Sequence, residues 1–279
     1  MARRGRQWWP VAKRERTMVP ILLRIGSYTV YSYTLSLVAG MIAGTWMAYR
    51  LAQERLSTPA MVLDAAFWGL LGGLLGGRAG YVAANWAYYA DHVGEAVALW
   101  KGGLAWHGAL AGGCASVAIW FVVRSRRGPP MPDWRDLFDA IAPGVALGGA
   151  LGWLGCLLTG SAYGAEATGY GPPLSWFTAD LPDIYGVDRV RFLTQPLMIA
   201  WCLLLWGLLW GLRRRLPRGL SFALYLLLYA LADFGVAFVR GDGAWRLGLW
   251  LSQWVAAIEA GFAVGLGIYI MRTKKGKVL

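Results

Sequence analysis

Two short motifs place polar side chains with chemical potential inside apolar stretches of the chain. The first, Gly76-Gly77-Arg78-Ala79-Gly80-Tyr81, lies late in one apolar segment, and the second, Gly102-Gly103-Leu104-Ala105-Trp106-His107-Gly108, opens the next. An arginine at the centre of a membrane helix costs about 3 kcal/mol on insertion scales, so such residues usually serve a function. A guanidinium can clamp a phosphate through paired hydrogen bonds. A neutral imidazole can take a proton from a thiol or a hydroxyl near physiological pH.

Each of these interpretations has a structural alternative. Arg78 can pair with a buried carboxylate on another segment, and the candidates are Asp139, Asp233 and Glu259. His107 can instead bond a backbone carbonyl at the start of its helix. The glycines around His107 favour the chemical interpretation, because they leave the backbone open to close approach by a substrate.

Other polar side chains lie in or beside the apolar segments. Tyr33, Tyr81 and Tyr229 can donate hydrogen bonds to a lipid headgroup, or they can anchor the chain at the membrane interface. Arg240 and Arg246 flank the last two segments, where they bind headgroups or extend their charge to the interface. Both alternatives stay open for each of these residues.

The composition indicates a membrane protein. Hydrophobic residues make up 57% of the 279 residues and charged residues only 15%, whereas soluble domains average about 25% charged residues. Stretches of about 20 apolar residues suit a bilayer helix. They predict seven transmembrane helices, near Tyr33–Tyr49, Ala65–Tyr88, Leu104–Val123, Leu137–Leu158, Pro196–Leu212, Gly219–Val239 and Leu247–Met271. The predicted fold is an all-α integral membrane protein with one long extracytoplasmic loop.

The long loop is the connection Thr159–Gln195, which is rich in glycine, proline and aromatic residues. Loops of this length inside a compact domain usually carry function. It is interpreted as an extracytoplasmic lid or substrate-access element, with a passive aromatic loop as the alternative. Small residues at intervals of four also recur in segments two, three and four, and they let helices approach closely. These three segments are expected to form a tight inner group.

The net charge of +12 comes from short blocks of lysine and arginine at segment ends, which are topology signals and do not indicate nucleic-acid binding. From Met18 onward, most of these residues lie after segments one, three and five and at the C-terminus. The positive-inside rule therefore places the C-terminus in the cytoplasm and the residues before Tyr33 outside. Residues 1–17 form a basic extension that we expect to precede the true start at Met18, with a basic tail that is nevertheless translocated as the alternative. Residues 18–279 then form a single membrane domain.

The sequence predicts neither a cofactor nor a metal. The three cysteines, Cys114, Cys156 and Cys202, lie in apolar segments without paired spacing, and the chain has only two histidines. The sequence contains neither a glycine-rich nucleotide loop after a strand nor an HExxH motif. Nucleotide hydrolysis and zinc proteolysis are therefore not supported.

The chain resembles the prolipoprotein diacylglyceryl transferase family of the bacterial plasma membrane over about Val19–Met271. Five stretches carry the resemblance in order. They are Tyr31-Ser32-Tyr33, Gly76–Tyr81, Gly102–Gly108, Asp139-Ala140-Ile141-Ala142-Pro143, and Tyr229 with Arg240. The family has seven spans with the N-terminus outside, in agreement with the charge distribution of this chain.

The resemblance implies transfer of a diacylglyceryl group from phosphatidylglycerol to the thiol of the lipobox cysteine of a secreted preprotein. Glycerol phosphate is released, and His107 is the implied general base or the partner of that base. The other implied site residues contact the headgroup or the peptide. They are Arg78, Arg240, Tyr33, Tyr81 and Tyr229.

The chain departs from the family's pattern at polar positions. In segment four the family reads Gly-Arg-x-Gly-Asn-Phe-x-Asn-Gly-Glu, whereas this chain keeps the glycines but has Trp153 for the arginine and Cys156 for the first asparagine. In segment six Asp233 follows Tyr229 where the family has an arginine, and an anion there repels a phosphate unless it is protonated or paired. Losing one charge-assisted contact to a transition state slows a reaction by about 10² to 10³.

Three functional hypotheses therefore stay open. The first is a divergent and slow diacylglyceryl transferase. The second is a catalytically lapsed homologue that binds lipid or a partner protein in the membrane. The third is a reaction that still uses His107 but acts on a different lipid or acceptor.

Overall fold

The computed structural model describes residues 19–26, 28–98, 103–127, 131–183, 185–242, 245–246 and 248–275. The predicted extension, residues 1–17, lies outside these ranges. The described chain is mostly helical, and seven of its helices are long. Their bounds are α1 Ser32–Arg55, α2 Met61–Ala84, α5 Trp106–Arg127, α6 Trp134–Thr159, α7 Thr194–Leu212, α8 Leu220–Ala237 and α9 Leu251–Lys275.

Short elements fill the connections between the long helices. A hairpin of β1 (Ile21–Ile25) and β2 (Tyr28–Tyr31) precedes α1, and two single-turn helices separate α2 from α5. These two helices are α3 Trp86–Tyr89 and α4 Val93–Ala96. The strands β3 Thr178–Pro182 and β4 Asp188–Phe192 follow α6, and the strands β5 Trp245–Arg246 and β6 Leu249–Trp250 follow α8. The prediction of an all-α membrane protein is thus confirmed in its main part, with three small antiparallel pairs of strands added.

Six of the long helices are long and apolar enough to cross a membrane. The exception is α2, because its six glycines, Asp64 and Arg78 lower its mean hydropathy. Its 24 residues still extend about 36 Å at 1.5 Å per residue, which exceeds the ~30 Å hydrocarbon core of a bilayer. The structure therefore contains the seven predicted helical segments, and six of them qualify as spans by composition.

Glycines bring α1 and α6 into backbone contact. A Cβ atom placed on Gly40 would lie 2.7 Å from the carbonyl oxygen of Gly148, and one on Gly44 would lie 2.6 Å from that of Gly144. From Gly40 to Gly44 along α1, the contacted residue on α6 moves back from Gly148 to Gly144, so the two helices are antiparallel. Backbones approach this closely only where side chains are absent.

The helices α2 and α5 form a second antiparallel pair of the same kind. A Cβ atom on Gly72 would lie 2.5 Å from the carbonyl oxygen of Gly112, and one on Gly76 would lie 2.7 Å from Gly112 Cα. Segment four, which is α6, thus has its main partner in α1. The expectation that segments two, three and four form one inner group was wrong in this respect.

Antiparallel packing gives the bundle two distinct ends. We call one end the Tyr33 end, because Tyr33 lies there at the start of α1. The helices that also begin at this end are α5, α7 and α9, and those that end there are α2, α6 and α8. The opposite end is called the Asp139 end. There the buried carboxylate of Asp139 lies 3.3 Å from the Arg55 guanidinium and accepts bonds from the backbone N–H groups of Gly219 at 2.7 Å and Phe222 at 3.0 Å. Asp139 therefore neutralises an arginine and satisfies N–H groups at the start of α8, which a helix leaves unbonded.

The predicted long loop folds into a compact structure on the Tyr33 end. Its strands β3 and β4 pair from Thr178–Phe192 to Pro182–Asp188. Within the loop, Arg191 is 5% exposed, pairs with Asp183 at 3.0 Å and lies over the Tyr163 ring at 4.8 Å. The loop also exposes aromatic side chains, notably Trp176 at 72% and Tyr185 at 85%.

Candidate functional site

The structure places the sequence-predicted site residues at the Tyr33 end of the bundle or in the half of a helix nearest to it. Tyr33 lies at the start of α1, and Arg78 and Tyr81 lie in the last turns of α2. His107 lies in the first turn of α5, and its side chain is outside the part of the structure that is described. The other members follow on α6, on α8 and just beyond α8; they are Trp153, Cys156, Tyr229, Asp233 and Arg240.

The Arg78 guanidinium binds the segment between α2 and α5. Its Nε donates to the carbonyl of Ala96 at 2.8 Å, and its two terminal nitrogens donate to Gly103 at 3.1 Å and Glu95 at 2.6 Å. The Tyr89 ring lies 5.3 Å from the guanidinium. Arg78 is 5% exposed, so these carbonyls offset the cost of burying its charge.

The same region ties the beginning of α5 to α2. The backbone N–H of Ala105 donates to the carbonyl of Gly77 at 2.9 Å. The Tyr81 ring covers Gly103, where a Cβ atom would lie 2.5 Å from Cε1, and Gly103 has the left-handed φ of +78° that favours glycine. Arg78 and Tyr81 thus hold the backbone that leads into the helix of His107.

A second group of site residues joins α1, α6 and α8. The indole Nε1 of Trp153 donates a long hydrogen bond of 3.4 Å to the Tyr229 hydroxyl. Tyr33 packs on Gly155, where a Cβ atom would lie 3.2 Å from its Cδ2. The tryptophan that replaces the family's arginine therefore contacts the site tyrosine directly.

The hydroxyl groups of Thr159 and Ser161 lie close to Cys156 at the end of α6. The Ser161 backbone N–H donates to the Cys156 carbonyl at 3.0 Å, and the Ser161 and Thr159 hydroxyl oxygens lie 2.9 Å apart. Thr159 in turn donates to the carbonyl of Gly155 at 2.9 Å. This corner remains polar although the asparagine side chains of the family's signature are absent.

Arg240 is paired with a carboxylate that the sequence reasoning did not single out. Its Nε lies 2.9 Å from Oδ1 of Asp242, and its Nη2 lies 3.1 Å from Oδ2, so the pair is bidentate. Burial acts to lower the pKa of Arg240, but the hydrogen bonds and the charge of Asp242 outweigh it, so the pKa is raised and the guanidinium stays charged. The negative charge of Asp233 also acts to raise the pKa of Arg240.

The long loop holds the backbone around Arg240. Ala165 N–H donates to the carbonyl of Val239 at 2.8 Å, and Gly241 N–H donates to that of Tyr163 at 2.9 Å. Residues Gly164 and Arg240 form an antiparallel bridge between these two bonds. The loop therefore fixes the position of the Arg240 backbone, from which the side chain extends.

The ion pair inside the loop supports this contact. Hydrogen bonds from the N–H groups of Val187 and Tyr185, together with the Arg191 charge, hold the pKa of Asp183 below its usual range. Arg191 also reaches the carbonyl of Gly164 at 3.4 Å, next to the residues that bond the Arg240 backbone. The loop is thus a folded cap at the Tyr33 end of the bundle, and its role as a lid or substrate-access element stays a prediction.

An apolar groove of about 400 Å³ lies between α7 and α8. Its walls include Trp201, Leu228, Ala232 and Gly235, and the last two flank Asp233 along α8. The residues that line the groove are almost all apolar. Within the described ranges, His, Cys, Asp and Glu side chains do not gather in threes that would hold a metal ion.

Fold and site together define a polytopic membrane protein whose polar candidate site lies at one end of an apolar helix bundle. The sequence pattern of the prolipoprotein diacylglyceryl transferase family matches residues 20–271, and the chain belongs to this family. The family and the apolar helices indicate a bacterial membrane protein with several spans.

Individual relatives cover the chain to different extents. A phosphatidylglycerol–prolipoprotein diacylglyceryl transferase of Streptococcus agalactiae serotype Ia is 30% identical over 256 residues, which are 91% of this chain and 96% of that protein. Proteins of the same name from Thermosynechococcus vestitus and Gloeobacter violaceus are 34% and 37% identical over 143 and 147 residues. The chain spans about half the length of these last two relatives, 51% and 52% respectively.

Proposed function

We propose that this chain transfers a diacylglyceryl group from phosphatidylglycerol to the cysteine thiol of a prolipoprotein. In this reaction the thiol loses its proton to a base and its sulfur forms a C–S bond with the terminal glyceryl carbon of the lipid. The C–O bond to the phosphate breaks, and glycerol phosphate leaves with the electron pair. Such a reaction needs a proton acceptor, a group that binds the phosphate and a site open to lipid.

The observation that carries this proposal is the family match, which runs along nearly the whole chain. It covers residues 20–271, and the alignment with the streptococcal transferase covers 96% of that protein. The matched range contains six of the seven long helices completely and α9 except for its last four residues. The activity named for the relatives is therefore the best supported activity for this chain.

His107 is the proposed general base, and Arg78 positions it. The three carbonyls that bind the Arg78 guanidinium belong to the segment leading into α5, and Gly103 is four residues before His107. The described contacts of Arg78 thus support a scaffold role more strongly than a direct phosphate contact. Tyr81 contributes by packing its ring on Gly103.

Arg240 is the proposed cation for the lipid phosphate, and Tyr229 and Tyr33 are the proposed hydrogen-bond donors. The Tyr229 oxygen accepts its bond from Trp153, so its own O–H can be donated to a headgroup oxygen. Tyr33 is 36% exposed and therefore accessible from the surface of the bundle. The family has two further arginines, at the positions of Trp153 and Asp233 in this chain. Because this chain lacks both of these charges, we expect it to catalyse the transfer slowly.

The remaining details of the proposal concern the acceptor and the orientation. The acceptor is a lipobox cysteine, and the Tyr33 end, which carries the long loop, faces outward with the C-terminus in the cytoplasm. A fusion of alkaline phosphatase within the long loop, after Gly171, should be active and one at the C-terminus inactive. The reverse result would contradict this orientation.

Complementation tests the proposed function in cells. The chain is expressed in a bacterium depleted of its own diacylglyceryl transferase, and the mobility of a reporter prolipoprotein is followed. We expect slow conversion to the lipid-modified form with the wild-type chain and loss of conversion with His107→Ala. Accumulation of unmodified reporter with both chains, at matched expression, would contradict the proposal.

A further inference from the structure

The Arg240 guanidinium is already occupied by an anion that belongs to the chain. Asp242 lies two residues away and contacts Arg240 through both carboxylate oxygens, at 2.9 and 3.1 Å. The Arg240 side chain is 20% exposed and that of Asp242 is 25% exposed, so the pair lies at the border of the bundle and is accessible from outside. A ligand can reach this pair without unfolding a helix.

The Arg240 backbone is fixed, so only the side chains can rearrange. Hydrogen bonds from Ala165 to Val239 and from Gly241 to Tyr163 hold the residues on both sides of Arg240. The Arg240 guanidinium therefore extends from a fixed backbone position just beyond α8.

A carboxylate and a phosphate bind a guanidinium in the same way. Each presents two oxygens to two parallel N–H groups, so one edge of the guanidinium accepts either anion but not both. The edge formed by Nε and Nη2 of Arg240 is taken by Asp242. An incoming phosphate must displace this carboxylate to make the bidentate contact.

We infer that Asp242 sets the affinity of this site for phosphate, because its carboxylate competes with the lipid phosphate for Arg240. The inference rests on the proposed role of Arg240 in binding the headgroup. The competing carboxylate lowers the affinity for every phosphate-bearing ligand, and only a ligand with further contacts in the site overcomes it. The same penalty applies to free phosphate and to a phospholipid, but free phosphate has no further contacts in the site that offset it.

Binding measurements on the full-length protein in neutral detergent test this inference. The ligands are short-chain phosphatidylglycerol and inorganic phosphate, and the proteins are the wild type and Asp242→Asn. Removing one exposed or half-buried ion-pair partner changes an equilibrium by about threefold to tenfold, so Asp242→Asn should bind both ligands that much more tightly. Inorganic phosphate should bind the wild-type protein barely or not at all.

Glu166→Gln is the matched control. Glu166 lies in the long loop between α6 and α7, at the same end of the bundle, is 55% exposed and pairs weakly with Arg189 and Arg191 at 3.9 Å. Its neutralisation removes the same charge from the same surface but leaves Arg240 unchanged, so the affinity should stay at the wild-type value. An equal gain in both variants would show a general charge effect and overturn the inference.

Two further variants keep the test decisive. Adding Arg240→Gln to Asp242→Asn should abolish the gain in affinity, and retention of the gain would contradict competition for Arg240. Asp242→Glu keeps the charge but lengthens the side chain, so its affinity should lie between those of the wild type and Asp242→Asn. If Asp242→Asn does not fold, a wild-type affinity in Asp242→Glu would overturn the inference.

The outcome is separable from that of the proposed function. If Asp242→Asn binds lipid more tightly but the wild type shows no transfer, the proposed activity is contradicted and the competition between Asp242 and phosphate is supported. If the wild type shows transfer but Asp242→Asn binds lipid with unchanged affinity, only the competition between Asp242 and phosphate is contradicted.

Discussion

Arg78 donates a hydrogen bond of 3.1 Å to the carbonyl of Gly103 and thereby links the end of α2 to the segment that precedes α5. The relationship matters because His107 follows four residues later. An arginine that sequence reasoning assigns to a lipid phosphate instead binds protein backbone in the described contacts. The position of the proposed base thus depends on a buried guanidinium.

Replacing Arg78 by lysine distinguishes a scaffold from a simple charge. Lysine keeps the charge but cannot form the three-way fork to Glu95, Ala96 and Gly103. Charge-assisted hydrogen bonds contribute about 1.5–3 kcal/mol each, so Arg78→Lys should lower the unfolding free energy by about 3 kcal/mol and reduce transfer at least about tenfold. Arg50→Lys is the control, because Arg50 is exposed and lies over the Trp46 ring. Full activity in Arg78→Lys would contradict the scaffold role.

Glycine substitutions in α1 and α6 test the close contact of these helices. A Cβ atom on Gly44 would lie 2.6 Å from the Gly144 carbonyl, whereas a Cβ atom on Gly152 meets no atom within 4 Å. Gly44→Ala should therefore destabilise the protein by about 1–3 kcal/mol through overpacking. Gly152→Ala should be neutral or stabilise by up to about 1 kcal/mol through helix propensity. Thermal unfolding in detergent measures both, and equal midpoints would argue against the packing described.

Neutralising Asp139 should destabilise the opposite end of the bundle. Asp139→Asn leaves Arg55 without its charged partner, and breaking a buried pair in this way costs about 3–5 kcal/mol. The control is Asp136→Asn, because its partner Arg218 is 72% exposed and such pairs contribute about 0–1 kcal/mol. Unfolding curves of the two variants are compared. A smaller loss for Asp139→Asn than for Asp136→Asn would contradict the assignment.

The folded cap should loosen in acid. The pKa of Asp183 is held below its ordinary value by the N–H groups of Val187 and Tyr185 and by Arg191, so its ionised form stabilises the fold. This contribution is fully present above the unfolded-state pKa and is lost as the pH falls through the depressed folded-state pKa. Hydrogen exchange of residues 163–192 should therefore quicken in acid. Asp183→Asn should show fast exchange already at neutral pH, whereas Asp188→Asn, exposed in the same hairpin, should not.

Hydropathy predicted the helical segments well but not their ends or their partners. The second segment begins at Met61 rather than Ala65, and its regular helix ends at Ala84. The last helix begins at Leu251 because the residues before it pair as strands β5 and β6. Apolar runs report where a bilayer is crossed, whereas hydrogen bonds at the boundaries decide where a helix stops.

The partners of helices and of charged side chains could not be predicted from the sequence, because both depend on contacts between residues that are far apart in the chain. Glycines at intervals of four mark a face that can approach another helix, but they do not identify the partner, so α6 was assigned to the wrong group. The partner of Asp139 is Arg55, which lies 84 positions away. The partners of Arg78 include backbone carbonyls, which every residue possesses. The short spacing of Arg240 and Asp242 was the one local signal that could have revealed a site pair.

The most direct test of the account is thioether formation by the purified full-length protein. The assay uses phosphatidylglycerol and a lipobox peptide, with His107→Ala alongside and with folding and lipid binding confirmed for both proteins. The account predicts a slowly formed diacylglyceryl peptide with the wild type and none with His107→Ala. Absence of product from folded, lipid-bound wild-type protein would contradict it and leave a lipid-binding member of the family.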